Sequence, residues 1–526
     1  MHNRLFREWV NPKLDLLLLV IMSICLGATS GVSSTISVYM VSGLAANPAD
    51  ATMSSYAYLA GMAVSFPLIS KLRNFFSSKE LLIFICCTLL FFNFILSQTD
   101  NTTEVVMASF FIGIARLMGS IIMVVNIIPI LMPRGERYQM YAVYYPLSLM
   151  VSPLAGMFQV WLADELGWRY SFHFSNIFLF LTLLITFILV SGKMHTRRLP
   201  LWKFDWFSLF LLSGWMLSFT YVMVYARSDD WWESSKIRFA GVSALILLLL
   251  FLLRNKLRTH KIIDFTVFRF RNVRVGIVLM FLSSVFFSLS TPIGSMLNII
   301  YGNNPLENAS INAYPILGYL TGAVVAFLYF RKYNNFKILL LVTIFCYLLS
   351  TYMLYEIVYK QTESYRFFLP MFLRGVAILL SYMTVGLYLA VDMLPDDFSM
   401  SATILIFTRS FLGPVIFGGL YSTLLYYRQV QIVDKLASWV DQSDPLFQQR
   451  FQGLHTPNAD PILAYKELSV QASLGAIKEM YGWVCIIGIC MFIVLIFFPI
   501  YKRQSRNIFN WRKTKNEDEI AATAVL

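Results

Sequence analysis

The chain has 526 residues, 58% hydrophobic and 13% charged, with a mean hydropathy of +0.64 and a formal net charge of +13. A water-soluble domain carries about 25% charged residues, so this composition excludes a soluble enzyme or binding module and defines a polytopic membrane protein. The informative count is then the number of runs of about 20 apolar residues.

Fourteen such spans are expected, at approximately 16–40, 54–72, 80–98, 104–130, 138–162, 170–191, 205–226, 237–254, 275–300, 312–331, 337–358, 366–392, 399–426 and 479–501. Ser228 to Glu233 form a short polar break between the seventh and eighth, and a twelve-span reading without that pair also fits. The first run follows Lys13 and Asp15 and is too long for a signal-peptide core, so it reads as a retained span. Cys25, Cys86, Cys87, Cys346, Cys485 and Cys490 all lie in apolar stretches, with neither metal-ligand spacing nor a disulfide framework.

Lysine and arginine set the orientation. With the N-terminus inside, inner segments hold 28 of the 42 basic residues and outer segments 11; Arg116, Arg374 and Arg409 are mid-span. This asymmetry predicts cytoplasmic N- and C-termini in a plasma or inner membrane. No basic domain stands apart from the spans, which argues against nucleic acid as a partner. The expected layout is a cytoplasmic N-terminus at 1–15, a helical bundle at 16–192 and two inserted helices at 204–256. A basic cytoplasmic linker at 257–274, a second bundle at 275–501 and a cytoplasmic tail at 502–526 follow. The second bundle carries a polar extracytoplasmic loop at 427–478, and a loop this long is usually functional or disordered.

The two bundles look like repeats, a frequent feature of transporter folds. The fourth span has Arg116, then a turn at Pro133 with Glu136, then a fifth span with Pro153 and Gly156. The twelfth has Arg374, then a turn at Pro395 with Asp396 and Asp397, then a thirteenth span with Gly413, Pro414, Gly418 and Gly419.

In these features the chain resembles the major facilitator superfamily, and more narrowly its fourteen-helix drug:proton antiporter branch of the EmrB/QacA type. Arg116 is similar to that branch's fourth-helix arginine and Arg409, before Gly413-Pro414, to its thirteenth-helix arginine. Trp161-Leu162-Ala163-Asp164 with Gly167-Trp168-Arg169 and Phe172 resembles its entry to helix six, and Asp205-Trp206 its entry to helix seven. Ile263-Asp264-Phe265, Phe268-Arg269 and Arg271-Asn272 resemble the stretch before helix nine, and Gln471-Ala472 that before the last helix. The resemblance implies an all-α membrane protein of the major facilitator fold, two six-helix bundles plus two inserted linker helices. It also implies alternating-access export of amphipathic small molecules, driven by a proton gradient and needing no bound cofactor. In a cell with two membranes it implies a periplasmic adaptor and an outer-membrane channel as partners. The chain departs from the branch at Val32-Ser33-Ser34-Thr35-Ile36, where serine replaces an acid, and at 70–79, where a gate's glycines and acid are missing. Its helix-five antiporter motif is reduced to Ser152-Pro153-Leu154-Ala155-Gly156.

A rise of about 1.5 Å per residue puts Arg116, Arg374 and Arg409 near the middle of a core about 30 Å thick. The acids fall at span ends or in loops, so the middle carries cations without a carboxylate. An ionised side chain there needs a partner or a wet cavity. Two readings stand: the arginines tie packed helices together through their planar donor fork, or at least one meets an anionic substrate group. Arg116, Arg374, Arg409, Tyr145 and Asn126 are therefore the candidates for substrate cavity or helix ties; Tyr141, Tyr144, Trp215 and Tyr382 are further aromatic candidates. Proton coupling has Asp392, Asp396, Asp397 and the span histidine His173 as candidates. Lys79, Arg134, Glu136, Arg137, Pro153, Gly156, Gly413 and Pro414 are the expected hinge or gate. No catalytic or metal-binding constellation is visible, which argues against an integral-membrane enzyme; a lipid or glycolipid flippase or facilitator of the same fold, without proton antiport, is the alternative.

Overall fold

The computed structural model describes residues 4–132, 137–192, 204–258, 261–301, 304–333, 335–360, 362–391, 393–438 and 461–500, without the side chains of 70, 395, 396 and 461–464. The described residues are helical throughout; one isolated bridge pairs Phe6 with Val190. A hydrocarbon solvent offers backbone groups no partner, so long apolar runs close their hydrogen bonds within helices.

The first bundle opens with three short helices, α1 (Asp15–Gly27), α2 (Val32–Thr35) and α3 (Ser37–Gly43). It continues with α4 (Pro48–Leu72), α5 (Ser78–Gln98), α6 (Thr102–Leu131), α7 (Arg137–Glu165) and α8 (Arg169–Leu189). The inserted hairpin is α9 (Trp206–Tyr225) and α10 (Ser235–Leu257). The second bundle opens with α11 (Arg271–Phe287), α12 (Ser290–Ile300), α13 (Pro305–Ala313) and α14 (Pro315–Lys332). It ends with α15 (Phe336–Glu356), α16 (Phe368–Leu389), α17 (Pro395–Phe407), α18 (Gly413–Ala437) and α19 (Pro461–Phe497). Local chemistry sets the starts. Asn47 with Asp50, and Ser77 with Glu80, form capping boxes on α4 and α5, and Asn101 caps α6.

Among the described residues, twelve helices are long and apolar enough to cross a membrane, α9 and α10 among them. The first two expected spans are not in that set: one is the broken α1–α3, and α4 is rich in alanine and serine. Between the last two spans, α18 runs to Ala437 and α19 starts at Pro461, so much of the expected polar loop 427–478 is helical; 439–460 lie outside the described residues. Large apolar side chains such as Phe84, Phe180, Phe239, Leu253, Val324 and Trp483 are exposed, as a lipid-facing surface requires.

The bundles share internal contacts. Gly61 on α4 and Gly113 on α6 bring two backbones together: a Cβ on Gly61 would strike the Phe110 carbonyl, and one on Gly113 the Tyr58 carbonyl. Gly318 on α14 and Gly375 on α16 do the same against Phe372 and Pro315. Small residues permit such close approach between membrane helices. The hairpin docks through α9, where Trp215 stacks near Phe407 and Phe411 of the second bundle. Asp205, at the head of α9, accepts hydrogen bonds from Arg254 at 2.8 Å and from the Ser208 hydroxyl at 2.6 Å.

A Gly113→Ala substitution is expected to force α4 and α6 apart, at about 1–3 kcal/mol. Thermal unfolding in detergent should show a midpoint several degrees lower than that of Gly294→Ala, whose new Cβ meets nothing within 4 Å. Equal midpoints would contradict the close packing.

Candidate functional site

Both bundles begin with a helix broken at mid-length. In the first, Gly27 ends α1 and Gly31 adopts a left-handed φ of +68°, leaving peptide groups around Ala28–Ser30 outside regular helix. In the second, α11 stops at Phe287 and α12 resumes at Ser290, with Pro292 in its first turn. The two breaks are closed alike. At the first, Gln159 Nε2 donates to the Ala28 carbonyl at 2.8 Å, Ser152 Oγ to the Ser30 carbonyl at 3.3 Å, and Arg116 Nε to Ser30 Oγ at 2.6 Å. At the second, Tyr421 OH donates to the Val285 carbonyl at 2.8 Å and an Arg374 terminal nitrogen to the Phe287 carbonyl at 2.7 Å. Both arginines are only 7% exposed. Arg116 also donates to Ser120, whereas Arg374 Nε and Ser288 Oγ are buried without a partner among the described residues.

The arginines do not occupy equivalent places. Gly113 stands one turn before Arg116, while Gly375 follows Arg374 directly. Relative to the glycine contact, the two side chains reach their breaks from positions about one turn apart.

Arg409 behaves differently. It lies in a π-helical turn, Thr408–Leu412, that joins α17 to α18; such turns are frequent at functional sites. Its guanidinium sits 4.3 Å from the Tyr382 ring centroid on α16 and 5.8 Å from that of Tyr145 on α7. These rings come from opposite bundles and lie 6.0 Å apart. Tyr141 stands 5.0 Å from Tyr145, and Phe287 6.3 Å from Tyr382. Gly386 makes room: a Cβ there would be 3.4 Å from the Tyr141 ring and 3.5 Å from the Tyr145 hydroxyl. Among the described residues no hydrogen-bond or carboxylate partner of Arg409 is found. The seam between the bundles thus holds a half-buried cation in an aromatic box.

The seam is covered at both ends. On the face that carries Pro12, Arg137 of α7 lies 4.4 Å over the Phe398 ring and reaches the Ala390 carbonyl at 3.4 Å. Nearby, Arg269 pairs with Asp397 at 3.2 Å, and Asn272 holds the Leu389 and Val391 carbonyls at 3.2 and 2.7 Å. On the opposite face, the Tyr56 hydroxyl of α4 packs on Gly418 of α18 and meets Thr291.

The other candidates scatter. Asn126 bonds its own helix at the Ile122 carbonyl, 2.8 Å away. His173 is exposed against Tyr170, away from the seam. Lys79 ties α5 to the end of α8 through the Phe187 carbonyl at 2.9 Å. Gly156 packs on Thr35, Gly413 meets Ser284, and Pro153 and Pro414 lie inside α7 and at the start of α18. Asp392, Arg134 and Glu136, and the side chain of Asp396, lie outside the described residues. Sequence reasoning missed Ser30, Gln159 and Tyr421; the small-residue run Gly27–Gly31 and Pro292 were the available signals of the breaks. No metal-binding group of His, Cys, Asp or Glu occurs among the described residues.

A bundle pair of this kind, with a covered central seam, is the architecture of a membrane carrier. Residues 18–418 match the Major Facilitator Superfamily model, and the chain belongs to that superfamily: it is a multi-pass membrane transporter. The fold is similar to the solved nucleoside transporter NupG, at 12% identity and TM-score 0.54, covering 93% of this chain and 100% of that one. It is also similar to a POT family transporter in complex with 5-aminolevulinic acid, at 14% identity, TM-score 0.58 and coverage of 93% and 98%. A third similar structure is the human organic anion transporter MFSD10, at 10% identity, TM-score 0.50 and coverage of 92% and 100%. No curated protein sequence matches.

Replacing Arg137 with alanine is expected to loosen the Pro12-side face. A cysteine at Ala390, in a chain stripped of its native cysteines, should then react with an impermeant maleimide about threefold faster, since an exposed cation–π contact is worth about 0.5–1 kcal/mol. An unchanged rate would show that Arg137 does not hold this face shut.

Proposed function

We propose that this protein exports amphipathic small molecules bearing an anionic group, by rocking of the two bundles about the Arg409 seam. The observation that carries the reading is Arg409 itself, a cation set between Tyr382 and Tyr145 of opposite bundles. A guanidinium offers two parallel N–H donors to a carboxylate or sulfonate, and the flanking tyrosines offer flat apolar surface to the rest of the molecule. A ligand held by both bundles binds best when they meet around it, so its binding energy shifts the equilibrium between open and covered states.

Outward direction, proton antiport and multidrug breadth enter this reading from the sequence resemblance, and the geometry contributes the anion preference. In the same reading α1–α3 and α4 also cross, giving fourteen spans with both termini cytoplasmic. Asp397, paired with Arg269 beside the Arg137 contact, is its acid with access to the cytoplasm. In a cell with two membranes the substrate passes to an adaptor and an outer-membrane channel.

The test is flux in proteoliposomes over matched organic anions, zwitterions and cations. A charged hydrogen-bonded contact is worth about 1.5–3 kcal/mol, so Arg409→Gln should slow anion flux by about 10- to 100-fold, with Arg409→Lys intermediate. Tyr382→Leu should weaken anion affinity more than Tyr382→Phe. Wild-type protein that moves cations and ignores anions, or an Arg409→Gln variant with full anion flux, would refute the proposal.

A further inference from the structure

Arg116 leaves an electrostatic question that its helix-tying role does not answer. Its guanidinium is buried in α6, and no carboxylate pairs with it among the described residues. Hydrogen bonds to Ser30 and Ser120 satisfy donors without supplying negative charge. A buried cation without a counter-charge is strongly disfavoured.

The same side chain lines a small cavity between α1, α6 and α7. Its polar wall consists of Arg116, Ser23, Ser120, Tyr144 and Ser148, and apolar side chains close the rest. The Ser23 and Ser148 hydroxyls donate to the Leu19 and Tyr145 carbonyls of their own helices. The Tyr144 and Ser120 hydroxyls are hydrogen-bonded to each other, which leaves the free guanidinium N–H groups as the main donors, with no anionic acceptor on the wall. Most of the volume is crevice between side chains, and the open core takes one water-sized body. That space excludes an organic acid and leaves room for one small body at most.

We propose that this cavity binds a chloride-sized monovalent anion, which serves as the counter-ion of Arg116 within the first bundle. The site is separate from the Arg409 seam and does not depend on the substrate assigned to it. Arg374, the corresponding tie in the second bundle, is packed among Tyr319, Tyr347, Tyr481 and Tyr382.

The test uses the full-length protein in nanodiscs with radiolabelled chloride, alongside thermal unfolding in chloride and in gluconate. Wild type should bind chloride saturably, and its unfolding midpoint should rise with chloride concentration, as binding to the folded state alone requires. Arg116→Gln should abolish both effects. Because that variant also loses the tie to Ser30, Ser148→Leu is the second probe: it fills the cavity and leaves the bonds of Arg116 to Ser30 and Ser120 in place. It should fold, lose chloride binding and lose the chloride-dependent rise. Arg409→Gln should bind chloride as wild type does, which separates this site from the seam. Absence of saturable binding in wild type, meaning a water-filled cavity, would overturn the proposal. So would unaltered binding in a folded Ser148→Leu variant.

Discussion

The peptide groups freed by two helix breaks constrain the rest of this molecule. Hydrocarbon cannot hydrogen-bond them, so side chains from neighbouring helices must. At the first break Gln159 and Ser152 take the carbonyls while Arg116 holds the Ser30 hydroxyl; at the second, Arg374 and Tyr421 take the carbonyls. Those reaches require close helices, and the glycine contacts of Gly61 with Gly113 and Gly318 with Gly375 supply them. In the proposed rocking, broken helices beside a central seam would absorb the motion without opening the packed core.

The three mid-membrane arginines thereby separate into two kinds. Arg116 and Arg374 are spent on the two breaks, Arg116 on the Ser30 hydroxyl and Arg374 on the Phe287 carbonyl, and changing them should harm folding before it harms selectivity. Arg409 is held by rings and faces the line along which the bundles meet. The π-turn around it frees backbone from the regular ladder and aims the side chain across the seam. Contacts at Arg137 and at Tyr56 cover that line from either face, so the box is enclosed and a bound anion would be poorly screened by water.

Much of the fold was legible because hydrophobic run length is a strong signal in lipid. The helices α5 to α18 fall close to the expected spans, whereas α19 starts well before its own. The breaks were not legible: residues 16–40 read as one continuous apolar run, and only Gly27, Gly31 and a few hydroxyls betray a turn. The arginines were found from their cost in an apolar run, but depth alone could not tell a tie from a binding group. Their direction depends on helix rotation, which a run with little amphipathic contrast does not encode. The expected equivalence of Arg116 and Arg374 was visible as similar context, while the one-turn offset required the glycine contacts to be placed in space. Asn126 and His173 were singled out by polarity and depth, and each proved to face its own surroundings instead of the seam.

The central claim is that a guanidinium closes each broken helix while Arg409 does not. Hydrogen–deuterium exchange of the full-length protein, read by mass spectrometry over residues 284–293, tests it most directly. The account predicts that Arg374→Gln speeds exchange in this segment, by freeing the Phe287 carbonyl and loosening the break, and that Arg409→Gln leaves it at the wild-type rate. Unchanged exchange in Arg374→Gln, or equal acceleration in both variants, would contradict it.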